Sequence, residues 1–198
     1  MPRRLRNFVD PPWSAPLDAN RVLRAIPESA TIVGMFCDAV VEASKKKGLR
    51  LPSARDKYTH YKFYPLKEHA QLLVEACPLL YPGMSLRQAL RKLGRAAPQA
   101  MLGSTIGKVM LGAASGSGLE EALHAWAKSY PLHLRPGIVD VKEIAKNHAI
   151  VRMEEIHYFL DSHHVGAFEG LFSMLDLRAT VKLDVRDATS ADLLCTWP

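Results

Sequence analysis

Long apolar runs are missing from this 198-residue chain. No stretch approaches the roughly 20 apolar residues that a helix needs to span a bilayer, so no membrane span is expected. The opening Met-Pro-Arg-Arg-Leu-Arg carries charge with no apolar segment behind it, so a secretory leader is not expected and a cytoplasmic location is. Cysteine is scarce. Cys37, Cys77 and Cys195 are odd in number and none sits in a Cys-x-x-Cys pair, which argues against a disulfide framework and against structural zinc. They read as small buried apolar residues. Also absent are a Gly-x-Ser-x-Gly elbow, a P-loop and a dinucleotide fingerprint; Ser115-Gly-Ser-Gly118 reads as a hinge rather than a phosphate cradle. With no nucleophile or base in view, the expectation is a non-enzymatic protein with no catalytic residues, no metal and no cofactor.

Charge is present but uneven. Residues 1–135 hold 20 Lys plus Arg against 10 acids, and residues 136–198 hold 6 against 10, so the halves carry +10 and −4. Such asymmetry suits a nucleic-acid-binding half, an anionic lipid or protein partner, or two halves that partly neutralise each other; without a recognition motif the last reading is preferred. The aromatic and basic connector at 49–64, with Tyr58, Tyr61 and Tyr64 among Arg55, Lys57 and Lys62, is the best hint of stacking on bases. Rings that pin a connector to the core are the commoner case.

The stretch from His157 to Arg178 orders the rest. At 100° per residue, Val165, Phe168, Leu171, Phe172, Met174 and Leu175 cover about half a helix circumference, which predicts a buried helix covered on more than one side. Gly166 and Gly170 form a second strip where another backbone can approach, either sheet or helix. Glu169 and Ser173 are left to face water. Asp161 or Ser162 is the N-cap. Asp161, His163, His164 and Glu169 lack the convergence of a metal site, and the two histidines read as satisfied core or boundary residues.

Along the chain, 1–17 is a proline-rich arm that Trp13 favours docking to the body. Residues 18–198 form a single domain, helical over 18–130 and ββαββ over 131–198. Helices are expected at 18–26, at 30–47 up to Gly48, at 66–80 with Pro78 kinking or ending it early, from a Ser85/Gln88 capping box to Pro98, from Pro98 onward, and from a Ser117/Glu120 box to Pro131. Gly103 and Gly107 again permit tight packing, and 113–118 is a hinge. Arg87, Arg91, Lys92 and Arg95 make a basic stripe read as a solvated face, and His124 lies on a polar face. From 137 the period becomes two: Val139 and Val141, then Ala149, Val151 and Met153, then Val181, Leu183 and Val185, then Leu193, Cys195 and Trp197 point inward. The fold class is therefore α+β, an N-terminal helical region followed by a β-β-α-β-β antiparallel unit.

Lys62-Phe-Tyr-Pro-Leu-Lys-Glu-His69, Tyr81-Pro-Gly-Met-Ser-Leu-Arg-Gln-Ala-Leu-Arg-Lys-Leu-Gly94, Leu134-Arg-Pro-Gly137, Asp161-Ser-His-His-Val-Gly-Ala-Phe-Glu-Gly-Leu-Phe172 and Leu194-Cys-Thr-Trp197 resemble a large myxobacterial paralogous family of uncharacterised proteins of about this length. The order of elements is more distantly similar to haem-nitric-oxide-binding, 4-vinyl-reductase-type and trafficking-complex (TRAPP-like) domains, which implies binding of a small molecule or a protein. The Tyr-x-Ser-x-Arg signature of the haem domains is not matched. Tyr158 is followed two positions on by Leu160, and Ser162 by His163 and His164 instead of an arginine. A haem-binding gas sensor is therefore the weaker alternative, as is nucleic-acid binding. The expectation is a regulatory or sensory module that holds a small apolar or amphipathic ligand between the two halves, or meets a protein partner, a homodimer included. Its candidate wall residues are Met101, Met110, Trp126, His164, Phe168 and Phe172.

Overall fold

Asp18 opens the first helix: its carboxylate accepts from the Arg21 backbone N–H at 2.9 Å, satisfying one of the donors a helix start leaves free. In this computed structural model, which describes residues 7–102 and 119–198, that helix is α1 (Ala19–Ala25). The expected helix at 30–47 begins later. Thr31, Ile32 and Val33 are all β-branched and form β1 (Thr31–Val33), antiparallel to β2 (Phe63–Pro65) and β3 (Leu134–Arg135) in the order β2-β1-β3. Two of the three strands thus sit within the region expected to be helical, and β3 precedes the expected ββαββ strands. α2 (Gly34–Lys45) starts at glycine because a Cβ there would lie 2.4 Å from the Thr59 carbonyl oxygen and 2.6 Å from the Tyr64 ring.

Neither internal proline interrupts its helix. Pro78 lies within α3 (Leu66–Leu80) and Pro98 within α4 (Leu86–Leu102), and both helices run through. Proline deletes one backbone hydrogen bond and crowds the preceding turn. Burial of Leu72, Leu73, Ala76 and Leu80 in α3, and of Leu90, Leu93 and Met101 on both sides of Pro98, outweighs that local cost. The Ser85/Gln88 capping box is present, with Gln88 Oε1 accepting from Ser85 N at 3.1 Å and Ser85 Oγ from Gln88 N at 3.3 Å. α5 (Leu119–Ser129) passes into one 3-10 turn, Tyr130–Leu132. Gly103, Gly107, Met110, the hinge at 113–118 and the Ser117 cap lie outside the described residues.

The C-terminal order is as expected: β4 (Ile138–Ala145), β5 (His148–Glu154), α6 (His163–Met174), β6 (Thr180–Val185) and β7 (Ala191–Thr196), with the four strands antiparallel in the order β4-β5-β7-β6. Alternation buries Val139, Ala149, Val151, Met153, Val181, Leu183, Leu193 and Cys195. Val185, expected inward, is 53% exposed at the end of β6. The arm is docked. Val9 exchanges two 2.8 Å backbone hydrogen bonds with Leu183, Ser85 Oγ donates to the Trp13 carbonyl at 2.7 Å, and the Arg91 guanidinium lies 4.3 Å from the Trp13 ring centroid.

Every residue of α6 from His163 to Phe172 is buried. The glycine strip meets α4 and not the sheet: a Cβ on Gly166 would stand 2.0 Å from the Arg91 carbonyl oxygen, and one on Gly170 2.3 Å from that of Arg95. Gly94 answers from α4, where a Cβ would stand 2.0 Å from the His163 carbonyl oxygen. This close approach overturns the expectation for Glu169, which is only 5% exposed. Arg91 Nε and Arg95 Nε reach its Oε2 at 2.7 and 2.8 Å, and Arg87 Nη1 reaches Asp161 Oδ2 at 3.0 Å. The basic stripe at 87, 91 and 95 is thus an interhelical clamp, one arginine per turn.

Removing both partners of Glu169 should hurt more than removing Glu169 itself. Arg91→Ala with Arg95→Ala leaves a buried carboxylate uncompensated, at a cost of about 3–5 kcal/mol. Glu169→Leu leaves two arginines whose side chains are already 32% and 53% exposed and turn to water, so its cost is smaller. Urea midpoints of the two variants check the order, and the reverse ranking contradicts it.

Candidate functional site

The loop at 155–162 sets the geometry ahead of α6. Phe159 has φ +41°, a left-handed conformation that is strained for a bulky residue, and its carbonyl accepts from the backbone N–H groups of Ser162 and His164 at 3.2 and 3.3 Å. Tyr158 is thereby turned inward, with its ring centroid 4.6 Å from His164 and 5.5 Å from His163. Ser162 occupies the N-cap position, but its hydroxyl bonds the Phe159 carbonyl instead of capping α6. From the other side, the 3-10 turn brings Tyr130 Oη to 2.6 Å from His164 Nδ1.

These groups line a partly open chamber of about 40 Å³ between α2, α4, α5, α6 and the small sheet. Ala97 and Met101 come from α4, Trp126 from α5, and His163, His164 and Ala167 from α6; Tyr130, His133 and Tyr158 complete the polar part of the wall. Phe36, Ala97 and His163 separate it from a second chamber of about 50 Å³ against His69. Tyr158 also lines an open cleft of about 260 Å³ formed with α1 and the β6–β7 turn, so it stands between outside and inside.

Three of the six expected wall residues, Met101, Trp126 and His164, meet at the chamber. Phe168 and Phe172 do not line it. They lie one and two turns further along α6, where Phe168 packs on Trp126 at 6.4 Å and Phe172 on Trp197 at 5.4 Å between ring centroids. Met110 falls outside the described residues. Sequence reasoning missed Tyr130, His133 and Tyr158 as a group, because they come from a turn, a strand approach and a loop that no periodicity joins. A histidine between Leu132 and Leu134, beside a turn, was the available signal.

The histidines are core residues, as expected, but they are not satisfied. His164 Nε2, His163 Nδ1, His133 Nε2, both nitrogens of His69, and the Trp126 indole N–H have no hydrogen-bond partner among the described residues. Each such buried group ordinarily costs about 1–3 kcal/mol. Burial pushes the imidazoles of His133 and His163 down to about 4 and that of His69 to about 3, and holds His164 well below its ordinary value, so all four are neutral at pH 7. Burial raises the Tyr130 and Tyr158 phenols, which also stay neutral. No group of three or more His, Cys, Asp or Glu among the described residues is placed to hold a metal ion. His124, expected on a polar face, is half-buried on α5.

The connector offers little to a nucleic acid. Tyr58 and Tyr64 are buried edge to face at 5.0 Å, Tyr58 Oη donates to Glu68 at 2.7 Å, and Arg55 pairs with the same carboxylate at 2.6 Å. Tyr61, 59% exposed, points to water. No described helix is long and apolar enough to cross a membrane.

Helices packed around a buried central helix, with an antiparallel four-stranded sheet, give this chain the fold of the H-NOX domains. An oxygen-binding H-NOX domain related to soluble guanylate cyclases, in its oxygen complex, superposes with a TM-score of 0.57 at 15% identity, covering 90% of each chain. The Fe(II) unliganded H-NOX protein from K. algicida gives 0.56 at 16% identity over 83% of this chain and 95% of that one. The S. oneidensis H-NOX protein in its Fe(II)NO state gives 0.54 at 11% over 84% and 99%. At such identities the likeness establishes fold alone. No curated protein sequence matches the chain. Residues 25–198 match the family described as Protein of unknown function (DUF2378), and the chain belongs to that family.

The described residues around this chamber do not fit a haem. A chamber of about 40 Å³ is far below the roughly 300–1,000 Å³ of pockets that hold cofactor-sized ligands. Among its described lining residues there is no arginine or lysine to meet the propionates, and the nearby arginines of α4 are engaged by Asp161 and Glu169.

Proposed function

We propose that this protein is a cytoplasmic, non-enzymatic sensory module that admits a small apolar or amphipathic molecule to the chamber at the first turn of α6. The carrying observation is the chamber itself. Interiors pack to crystal-like density with few voids larger than a water, yet here aromatic and aliphatic side chains from α2, α4, α5, α6 and the small sheet leave space beside a helix that is buried over ten successive residues. The likeness to H-NOX structures supports the reading at the level of fold, since those proteins are described with oxygen or NO bound. The cleft on the outer side of Tyr158 comes within one side chain of the chamber.

Xenon tests this reading because it needs only an accessible apolar space. Crystals pressurised with xenon are expected to show one atom between Met101, Trp126 and Ala167, lost in Ala167→Leu, which fills that space. Absence of xenon from the chamber, or an equal signal in Ala167→Leu, removes the proposal.

A further inference from the structure

We infer that the chamber takes a small uncharged molecule that both donates and accepts hydrogen bonds, held by the imidazole and indole nitrogens that the protein leaves unpartnered. The inference rests on the reading of the chamber as a ligand site and adds the chemistry of the ligand. The nitrogens are of both kinds. The Trp126 indole N–H can only donate. His133 Nε2 is unpartnered, and a neutral imidazole has one nitrogen that accepts and one that donates, so this ring offers the acceptor that an indole lacks when its proton sits on Nδ1. His164 Nε2 and His163 Nδ1 add two further free positions on the same wall. All four residues are at most 5% exposed.

Charge is excluded by the same wall. The described lining contains no Lys, Arg, Asp or Glu, so an ion entering it would lose its hydration with no counter-charge. Burial keeps the imidazoles from supplying one at neutral pH. Size sets the remaining limit. A space of about 40 Å³ is well under the about 150 Å³ that accepts benzene, leaving room for a few heavy atoms, the size of a short alcohol or primary amide. A purely apolar occupant of that size fills the space but leaves every nitrogen unpaired. An amide pairs donors and acceptors together.

The test uses the full chain, labelled with ¹⁵N at histidine and tryptophan, and three probes at pH 7: acetamide, acetate and xenon. Acetamide is expected to bind in the millimolar range, shifting the Trp126 indole and the His133 and His164 Nε2 resonances, with acetate at least about tenfold weaker. His133→Leu should weaken acetamide about tenfold or more, keep xenon, and be reversed by His133→Gln, which restores a hydrogen-bonding group. If the His133 variants fail to fold, the wild-type probe series decides alone. Xenon entry without an acetamide response overturns this inference and leaves the sensory reading standing. Acetate binding as well as acetamide also overturns it. Exclusion of all three probes removes both.

Discussion

Lowering the pH from 7 to 5 is expected to unfold the protein, with a steep transition between pH 6 and pH 4.5. Four imidazoles, those of His69, His133, His163 and His164, are held neutral by burial, with folded values of about 3 to 4 for the first three and a strongly depressed value for His164. Each ionises near 6.5 in the unfolded chain. Between the unfolded and folded values the unfolded state binds more protons, so stability is fully present above about pH 6.5 and falls as pH drops towards the folded values. Each group removes up to about 1.4 kcal/mol per pH unit, or about 2 kcal/mol by pH 5. Four together reach the 5–15 kcal/mol (about) of a whole domain's stability. Circular dichroism against pH measures it. His133→Leu, which takes away one titrating group, should move the midpoint down, and a wild-type midpoint below pH 4 contradicts the neutral cluster.

The second large effect belongs to the crossing of α4 and α6. Gly94→Ala and Gly166→Ala each place a methyl 2.0 Å from a backbone carbonyl oxygen on the opposite helix, where no side chain can rotate out of the way. The helices must separate along a contact that also seats the Glu169 clamp, so the expected loss is about 3 kcal/mol or more, above ordinary overpacking. Gly48→Ala is the control. Its φ is +71° but nothing lies within 4 Å, so it should cost about 1–2 kcal/mol through backbone strain alone. Urea denaturation at pH 7 compares the three, and similar midpoints for Gly48→Ala and Gly166→Ala would remove the close-approach argument.

The α+β order and the buried central helix were legible because periodicity and glycine spacing are properties of single segments. Gly166 and Gly170 were read as a point of backbone approach, and α4 is what approaches them. Glu169 was misread because helical position shows which residues share a face and not what covers that face. The partner arginines lie 78 and 74 residues away. Pro98 misled for a related reason: its local cost is visible in the sequence, but the core burial on both sides that overrides it is not. The chamber brings together some of the expected wall residues and others that no single segment pointed to. Met101, Trp126 and His164 are apolar-face residues of helices, whereas His133 and Tyr158 enter from segments whose direction depends on a turn and on one left-handed residue.

One guanidinium faces two ways. Arg91 grips the carboxylate of α6 on one side and supports the Trp13 indole on the other. A rotation of the helix that carries His163 and His164 would drag Glu169, tilt the plane beneath the indole and slacken the strap of chain that Val9 pins to the rim of the sheet. An event among the imidazoles would then be legible at the outer surface, with a single side chain as the lever.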